Sequence, residues 1–359
     1  MGLGLGYKSY VSYIGQTAFG TAGVPTTTAA NLRTGAVFSP RASQQARMTT
    51  TSTMQRASQL WSTVKLTDFT FRFEWVQNPL WRQLLTSAWG KRITTATDVP
   101  PRIYSLNDAP VDPSTADTTT IFYNRGLTIR HTIHDGSANV RTYEAKDCNI
   151  TRFQMFFERD KPVEFEVSGV GQALVDAAAA PTYTDMTGTL VTWTHAGFGA
   201  NSGLYIHTAN PPALGTAAGQ VILARATFTL DHNLRFDPFL GTAAGSELKL
   251  PTRTTFPAAS LELEADFEGG LTGMDAVEIV TDFVNSTAKN LRIRYYVGAT
   301  EYFDLQATGA TAPAIVDEPK PLQSSEGVVG FSARYKIFPD TGPNSTASGD
   351  LSLSVNNAT

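Results

Sequence analysis

The stretch "DFTFRFEWVQNPLWRQLLTSAWG", residues 68–90, joins a strand pattern directly to a helix pattern. In its first half, Phe69, Phe71, Phe73 and Trp75 alternate with polar residues. This alternation is typical of a half-buried β-strand, because successive side chains point to opposite faces of a sheet. We therefore predict a strand with one apolar and one polar face.

The second half of the same stretch predicts a short helix. Asn78 is suited to an N-cap, Pro79 to the first helical position, and Gly90 to the C-terminal stop. Apolar residues at helical spacing would form the buried stripe: Leu80, Trp81, Leu84, Leu85 and Ala88. Trp89, beside Gly90, is expected to be partly exposed at a subunit interface.

The same pair of patterns returns in "SLELEADFEGGLTGMDAVEIVTDFVN", residues 260–285. Leu261 and Leu263 lie on the apolar face of the second strand. Thr272 and Asp275 resemble a capping box, with Asp in the usual Glu position. The predicted helical stripe is Ala276, Val277, Val280, Phe283 and Val284.

Later strands extend this correspondence. "NLRIRYYVG" aligns with the strand of Leu127 and Ile129, "VVGFSARYKI" with the strand of Phe153, and "GDLSLSV" with the strand of Val163. Order, helix position and apolar register agree, so we interpret the chain as containing one β-α-β-β-β-β unit twice. A catalytic site shared by the copies would also preserve polar residues, and these differ.

The chain therefore divides into four parts. Residues 1–60 form an N-terminal arm with too few periodic apolar positions for a core, so deletion of about the first 35 should leave a folded subunit. Residues 61–175 form the first unit, with a long Pro- and Asp-rich loop at 91–122, residues 176–225 a connector, and residues 226–359 the second unit. The fold class is mainly β, with two tandem β-sandwich or barrel units, each with one flanking α-helix.

Composition restricts the function classes. The formal net charge is −4 and only 17% of residues are charged, which argues against tight binding to nucleic-acid phosphates and favours burial against partner subunits. The single cysteine, Cys148, rules out an internal disulfide framework. The chain has no signal-peptide pattern and no apolar run near the ~20 residues of a membrane span, so we expect folding in the cytoplasm.

Patterns that carry catalysis are weak in this sequence. His131 and His134 are three residues apart in a strand, so they point to opposite faces and cannot share a metal ion. The carboxylate pairs Glu262 with Glu264 and Glu164 with Glu166 lie on polar strand faces, which are more often solvated or interface surfaces than glycosidase sites. We predict no enzyme activity, no cofactor and no metal site.

Several segments together resemble the tail tube proteins (major tail proteins) of bacteriophages with long non-contractile tails. They are the Thr/Ser/Arg-rich start, the 69–90 strand and helix, "DCNITRFQMFFERDKPVEFEVSGVG", and "ATFTLDHNLRFDPFLG" followed by "LELEADF". The resemblance covers most of residues 40–359 and concerns the order of elements. It implies a β-sandwich or barrel whose strands join those of neighbours around a hollow tube.

The same resemblance implies the partners and the location. Rings stack around the tape measure protein between tail tip and tail terminator proteins, and double-stranded DNA passes through the lumen without specific binding. The protein would be made in the host cytoplasm and reside in the virion tail, with no membrane contact. Two units per chain favour a trimeric, pseudo-hexameric ring over a hexamer.

Residue roles follow from both lines of argument. The arm and the 91–122 loop would reach between stacked rings. The residues proposed for this assembly loop are Asp98, Pro100, Pro101, Tyr104, Asp108 and Asp112. The residues proposed for the structural core are Phe71, Phe73, Trp75, Leu80, Leu84, Leu85, Leu261, Leu263, Val277 and Val280.

Two alternative functions remain open from sequence. The first is another virion or surface β-protein that binds a receptor or a glycan through exposed aromatic residues such as Trp89. The second is a hydrolase that uses paired strand carboxylates, with Glu262 and Glu264 as its candidates.

Overall fold

The computed structural model describes most of the predicted strands and both helices. The described residues are 10–16, 20, 23–25, 30–31, 37–51, 54–77, 81–93, 101–106, 120–122, 126–134, 140–177, 189–190, 192–193, 202–214, 219–221, 223–236, 252–253, 255, 257–266, 276–298, 301–309, 312–325, 328–338 and 351–356. In part of the strands, only the backbone is described.

The chain is mainly β, as predicted. The first strands and helix are β1 Tyr10–Gly15, β2 Ala30–Asn31, β3 Phe38–Thr51, β4 Met54–Glu74, β5 Val76–Gln77, α1 Arg82–Trp89, β6 Gly90–Ile93, β7 Arg102–Leu106, β8 Thr120–Phe122, β9 Leu127–His134, β10 Val140–Glu158, β11 Lys161–Pro162, β12 Glu164–Gln172 and β13 Val175–Asp176. The remaining elements are β14 Thr189–Leu190, β15 Thr192–Trp193, β16 Gly203–His207, β17 Gln220–Val221, β18 Leu223–Asp231, β19 Leu234–Arg235, β20 Thr252–Arg253, β21 Ala258–Asp266, α2 Ala276–Asn285, β22 Asn290–Gly298, β23 Glu301–Ala307, β24 Ala314–Ser325, β25 Val328–Ile337 and β26 Leu351–Asn356.

One large antiparallel sheet contains twelve of the described strands. The long strand β10 joins its two parts: the first half of β10 pairs with β9, which pairs with β1. The second half lies between β12 and β18. Across this second part, the strand order is β3-β4-β12-β10-β18-β21-β25-β24.

A smaller sheet covers the apolar face of the large one. Its order among the described strands is β17-β16-β22-β23-β26-β7-β6-β8. Phe303 on β23 contacts both Trp75 and Phe157 of the large-sheet side, with ring centroids 5.5 Å and 6.0 Å away. The two sheets therefore share one aromatic core, as expected of a β-sandwich.

The predicted faces of β4 are confirmed. Phe69, Phe71, Phe73 and Trp75 are buried, while Arg72 on the opposite face is partly exposed. Leu261 and Leu263 on β21 are buried in the same way. The alternation predicts these faces correctly because the side-chain period of a strand is two.

Helix α1 ends where the sequence predicts. Gly90 adopts a left-handed conformation with φ 85° and donates its N–H to the carbonyl of Thr86. The described helix is Arg82–Trp89, with Trp81 as its N-cap and no side-chain cap. The sequence predicts a start at Asn78 and Pro79. Those two residues and Leu80 lie outside the described part of the chain.

The predicted stripe of α1 is otherwise buried. Leu84, Leu85 and Ala88 are inaccessible to solvent, and Trp81 is nearly so. Trp89 is also fully buried, so its predicted exposure at a subunit interface is wrong.

Helix α2 buries a different face from the one predicted. Ile279 and Asp282 are buried, whereas Phe283 and Val284 are 44% and 73% exposed. Val280 is partly buried, and the side chain of Val277 is not among those described. The predicted stripe is wrong at Phe283 and Val284 because the buried side of α2 carries an ion pair, Asp282 with Lys289 at 3.2 Å.

Parts of the predicted N-terminal arm belong to the sheets. Strand β1 pairs with β9 over six residues, and Tyr10, Val11 and Tyr13 are buried. Strand β3 pairs with β4. The expectation that this region contributes no core is therefore wrong for residues 10–16.

The 91–122 region is not a structureless loop in its described parts. Strand β6 pairs with both β7 and β8 in the smaller sheet. Tyr104 is 2% exposed on β7, so its assignment to an exposed assembly loop is wrong. Pro101 is exposed, and Asp98, Pro100, Asp108 and Asp112 lie outside the described residues.

The 176–225 connector also contributes to the core. Strand β16 pairs with β17 and β22, and Leu204, Tyr205 and Ile206 are buried. Part of the segment predicted to be a connector therefore belongs to the smaller sheet.

The strand order repeats, but with a different correspondence from the one predicted. The order β3-β4-β12-β10 is followed by β18-β21-β25-β24. In each set, a helix follows the second strand, and a hairpin supplies the other two. Thus β25 takes the place of β12, and β24 takes that of β10. The predicted matches of β25 with β10 and of β26 with β12 are wrong, since β26 lies in the smaller sheet, and β22 and β9 also lie in different sheets.

Candidate interaction surfaces

The described part of the chain has no cluster of three or more His, Cys, Asp or Glu side chains that could hold a metal ion. Burial lowers the pKa of His131 to about 4, so its ring is neutral at pH 7 and packs 6.3 Å from the ring of Phe38. Burial raises the pKa of the Cys148 thiol, so the thiol stays protonated and a poor nucleophile. Both residues are best explained as core residues.

The outer face of the large sheet carries rows of paired charges. Arg72 on β4 contacts Glu164 on β12 at 2.6 Å, and Arg225 on β18 contacts Glu264 on β21 at 2.6 Å. Glu262 lies 3.7 Å from Arg334 on β25. These cross-strand ion pairs engage three of the four carboxylates that the sequence had singled out as possible catalytic pairs: Glu164, Glu262 and Glu264.

This polar face has an excess of acidic groups. Its described acidic side chains number ten: Asp68, Glu74, Glu158, Glu164, Glu166, Asp231, Glu262, Glu264, Asp317 and Glu318. Its described basic side chains number six: Arg72, Arg152, Arg225, Lys320, Arg334 and Lys336. The described side chains of this face therefore carry a net charge of −4.

The same face is concave across the middle of the sheet. A groove of about 500 Å³ crosses it, lined by residues of β4, β10, β18, β21, β24 and β25. Arg72 lies at one side of the groove and Lys320 at the other. The groove is lined by charges of both signs and by some apolar residues, among them Phe156, whose ring lies under the guanidinium of Arg72.

No protein-family model matches this chain, and no curated protein is significantly similar to it. Within the described residues, neither helix is long and apolar enough to cross a membrane. The function must therefore be inferred from the surfaces themselves.

The eight-strand run of the large sheet has two outer edges. Among the described residues, β3 pairs only with β4, and β24 pairs with β25 and, at Ala314 alone, forms a bridge with Lys289. Both edges contain proline: Pro40 on β3, and Pro319 and Pro321 on β24. Proline is confined to edge strands because it cannot donate to a ladder, and an unpaired edge is a potential site for another chain.

Helix α2 lies along the β24 edge. Its exposed Phe283 and Val284 therefore form an apolar patch near an open sheet edge. Sequence reasoning missed this patch because it assigned both residues to the core. It also missed β24 as an edge strand, although proline at alternate positions, 319 and 321, is a signal for one.

We predict that the charge rows contribute little to stability. Replacement of Arg225 by Ala removes the contact with Glu264, but both side chains are about half exposed. Because such pairs are screened by water, the loss should be about 0.2–1 kcal/mol in the free energy of unfolding, measured by urea denaturation. A loss above about 2 kcal/mol would show that the pair is shielded from water and would contradict a solvated face.

Proposed function

We propose that this protein is a structural subunit that assembles into stacked rings, and that the rings form the tail tube of a long non-contractile-tailed phage. The observation that carries the proposal is the repeated strand order β3-β4-β12-β10, then β18-β21-β25-β24. A sheet built by repetition can be continued by another copy of the same chain. Two tandem tail-tube-like units would produce this order.

The seam between the two repeats supports a closed ring. Strand β10 pairs antiparallel with β18 over seven residues. If copies join in the same way, each copy rotates relative to the last by a fixed amount, and a closing rotation gives a ring without open edges. Three chains would then give six repeats, so we favour a trimeric, pseudo-hexameric ring over a hexamer.

The polar face of the large sheet suits the wall of a channel for DNA. Its net negative charge repels phosphate groups, so a duplex could pass without being held. Its concave shape also matches an inner wall, while the smaller sheet and α1 cover the opposite face. We propose that this face lines the lumen.

The remaining assignments follow from the same proposal. The partners would be the tape measure protein inside the tube and the tail tip and tail terminator proteins at its ends. The protein would reside in the virion tail after synthesis in the host cytoplasm. It would act without catalysis or a cofactor.

The receptor-binding alternative is not supported by the position of its main candidate residue. Trp89, the aromatic residue on which it depended, is fully buried against Phe153 and Phe228. The hydrolase alternative depended on Glu262 and Glu264, and both contact arginine. Neither alternative is favoured by a described surface.

Electron microscopy of the purified protein at high concentration tests the proposal. We expect rings or tubes of uniform diameter, with threefold density and pseudo-sixfold shape in end-on views. Persistent monomers would contradict the proposal if they remain after addition of tape measure and tail tip proteins. A strict sixfold ring of six chains would contradict the trimeric arrangement alone.

A further inference from the structure

We infer that β24 of one chain pairs antiparallel with β3 of a second copy, and that the exposed face of α2 packs on that copy. The inference rests on the proposed function for the closure of such contacts into a ring. The model for this contact is the pairing of β10 with β18 within one chain, which we call the internal seam.

The internal seam shows what joins two repeats. Arg152 on β10 faces Asp231 on β18, and their side chains approach to 3.2 Å. Two residues along β10, the amide of Gln154 donates to the hydroxyl of Thr229 at 3.0 Å. The seam is therefore a β-ladder with polar side-chain pairs on the outer face of the sheet.

The strands at the two outer edges have the same registers with their neighbours as the two strands of the internal seam have with theirs. Phe38 on β3 pairs with Phe69, as Phe228 on β18 pairs with Leu261. The other edge follows the same rule: Lys320 on β24 pairs with Ser332, as Gln154 on β10 pairs with Glu166. Phe69 of β4 thus corresponds to Leu261 of β21, and Lys320 of β24 corresponds to Gln154 of β10. If a second copy joins β24 as β18 joins β10, its Ser39 lies opposite Lys320, as Thr229 lies opposite Gln154.

The charges at the next pair are complementary. The same register places Glu318 opposite Arg41 of the second copy, at the position that Arg152 and Asp231 occupy in the internal seam. The signs are reversed, so the pair is again attractive. Within its own chain, Glu318 is more than half exposed and contacts Lys320 at 3.6 Å, a weak pair that leaves its carboxylate accessible.

Proline makes the outer seam weaker than the internal one. In the transferred register, Pro40 lies opposite Pro319. The backbone N–H of Thr70 bonds to the carbonyl of Val37, so the backbone of Pro40, three residues further along, is directed to the open edge. This pair therefore lacks the two hydrogen bonds of an ordinary ladder pair, which protects the edges from indiscriminate pairing.

Helix contacts would compensate for that weakness. Across the internal seam, Trp89 of α1 lies 6.0 Å from the rings of both Phe153 on β10 and Phe228 on β18. A ring nitrogen of His232, just after β18, also contacts the carbonyl oxygen of Ala88. Helix α1 thus covers the strands on both sides of the seam.

Helix α2 occupies the matching place on β24. It ends at Ser286, which has a left-handed φ of 52°, as α1 ends at Gly90. Phe283 and Val284 precede Ser286 by the same spacing as Ser87 and Ala88 precede Gly90. Ser87 and Ala88 are buried, so we assign the exposed Phe283 and Val284 to contact with β3 of the second copy.

Disulfide cross-linking tests this pairing directly. We propose Ser39→Cys and Lys320→Cys as separate variants, mixed under assembly conditions and oxidised. Both native side chains are exposed, and the endogenous Cys148 is fully buried. We expect a cross-linked dimer from the mixture and little from either variant alone. The double variant should give a series of cross-linked species that ends at the closed ring.

The matched control is Ser39→Cys mixed with Ser332→Cys. Ser332 lies on the same face but one strand further from the edge. Its cross-linked fraction should be at least about tenfold lower, since cysteines whose Cα atoms are more than ~7 Å apart cannot bond without backbone movement. Equal cross-linking of the two mixtures would overturn the inference.

The outcomes separate this inference from the proposed function. Rings or tubes that form without cross-linking at 39 and 320 would overturn the β24–β3 pairing and leave the tube proposal intact. Specific cross-linking without rings or tubes would support the pairing and count against the tube. Monomers without cross-links, in the presence of tape measure and tail tip proteins, would overturn both.

A second variant tests the helix contact. Val284→Asp should abolish assembly while circular dichroism and thermal unfolding stay unchanged, because Val284 is 73% exposed in the single chain. The control is Val175→Asp, at a valine that is 52% exposed on β13, away from this edge. Normal assembly of Val284→Asp would overturn the role of α2.

Discussion

We expect a variant that lacks residues 1–35 to be unable to fold. The deletion removes β1, which supplies the buried side chains of Tyr10, Val11 and Tyr13 and covers strand β9. Burial of each such side chain is worth about 1.5–3 kcal/mol. Their combined loss is comparable with the ~5–15 kcal/mol that stabilises a typical domain.

The deletion also removes polar contacts at the end of β1. The side-chain amide of Gln16 donates to Asp147 at 2.9 Å and accepts from the backbone N–H of Asp147 at 2.8 Å. Burial raises the pKa of the Asp147 carboxyl group, and the hydrogen bond from Gln16 partly offsets this effect. Loss of Gln16 therefore increases the free-energy cost of burying Asp147. Circular dichroism and urea titration of the purified variant provide the measurement.

The control deletes residues 1–9 and leaves β1 in place, and this variant should unfold cooperatively like the full chain. If the 1–35 deletion instead folds cooperatively and only fails to assemble, β1 is dispensable and the arm interpretation drawn from sequence is correct.

We expect Trp89→Ala to destabilise the fold by about 3–5 kcal/mol, which is typical for removal of a buried aromatic side chain. Trp89 is fully buried. Its ring is stacked with that of Phe228, with 6° between the planes. Because Trp89 contacts Phe153 on β10 and Phe228 on β18, the variant should also weaken the pairing of these two strands. Urea denaturation at fixed pH measures the change.

The matched control is Phe338→Ala, since Phe338 is 60% exposed. Its effect should stay within about 0.5 kcal/mol, as is usual for surface substitutions. An equally small effect of Trp89→Ala would place Trp89 at an exposed surface and would restore the subunit-interface and ligand-binding interpretations.

Local patterns predicted much of the fold. The alternation of Phe69, Phe71 and Phe73 identified a buried strand face, and Gly90 identified the end of α1. The carboxylates Glu262 and Glu264 were correctly assigned to a polar face, and the structure adds their arginine partners. These predictions succeeded because each depends on residues that are neighbours along the chain.

Predictions that depended on distant residues failed. The α2 stripe included Phe283 and Val284 because both are apolar, but Asp282 is buried in their place by its contact with Lys289. The arm and the 91–122 loop lacked clear periodicity, yet β1 and β7 are held by strands far along the chain. No local signal reports such a partner.

For the candidate interaction surfaces, too, local sequence information was sufficient for some features and insufficient for others. Sequence indicated an acidic, assembling protein, but it placed the assembly residues in a loop that contains the buried Tyr104. The two open edges and the α2 patch became visible only when β24 was seen beside β25 and α2.

The sequence by itself determined the strands that alternate clearly, such as the one with Phe69, Phe71 and Phe73, and the end of α1 at Gly90, because hydrophobic period and terminal glycine act within a few residues. The tertiary structure decided the order of strands, the seam between β10 and β18, and the two open edges. The physical reason is that ladder hydrogen bonds join backbones, which are nearly alike in every strand. The choice among partners therefore depends on how all side chains pack together in one core.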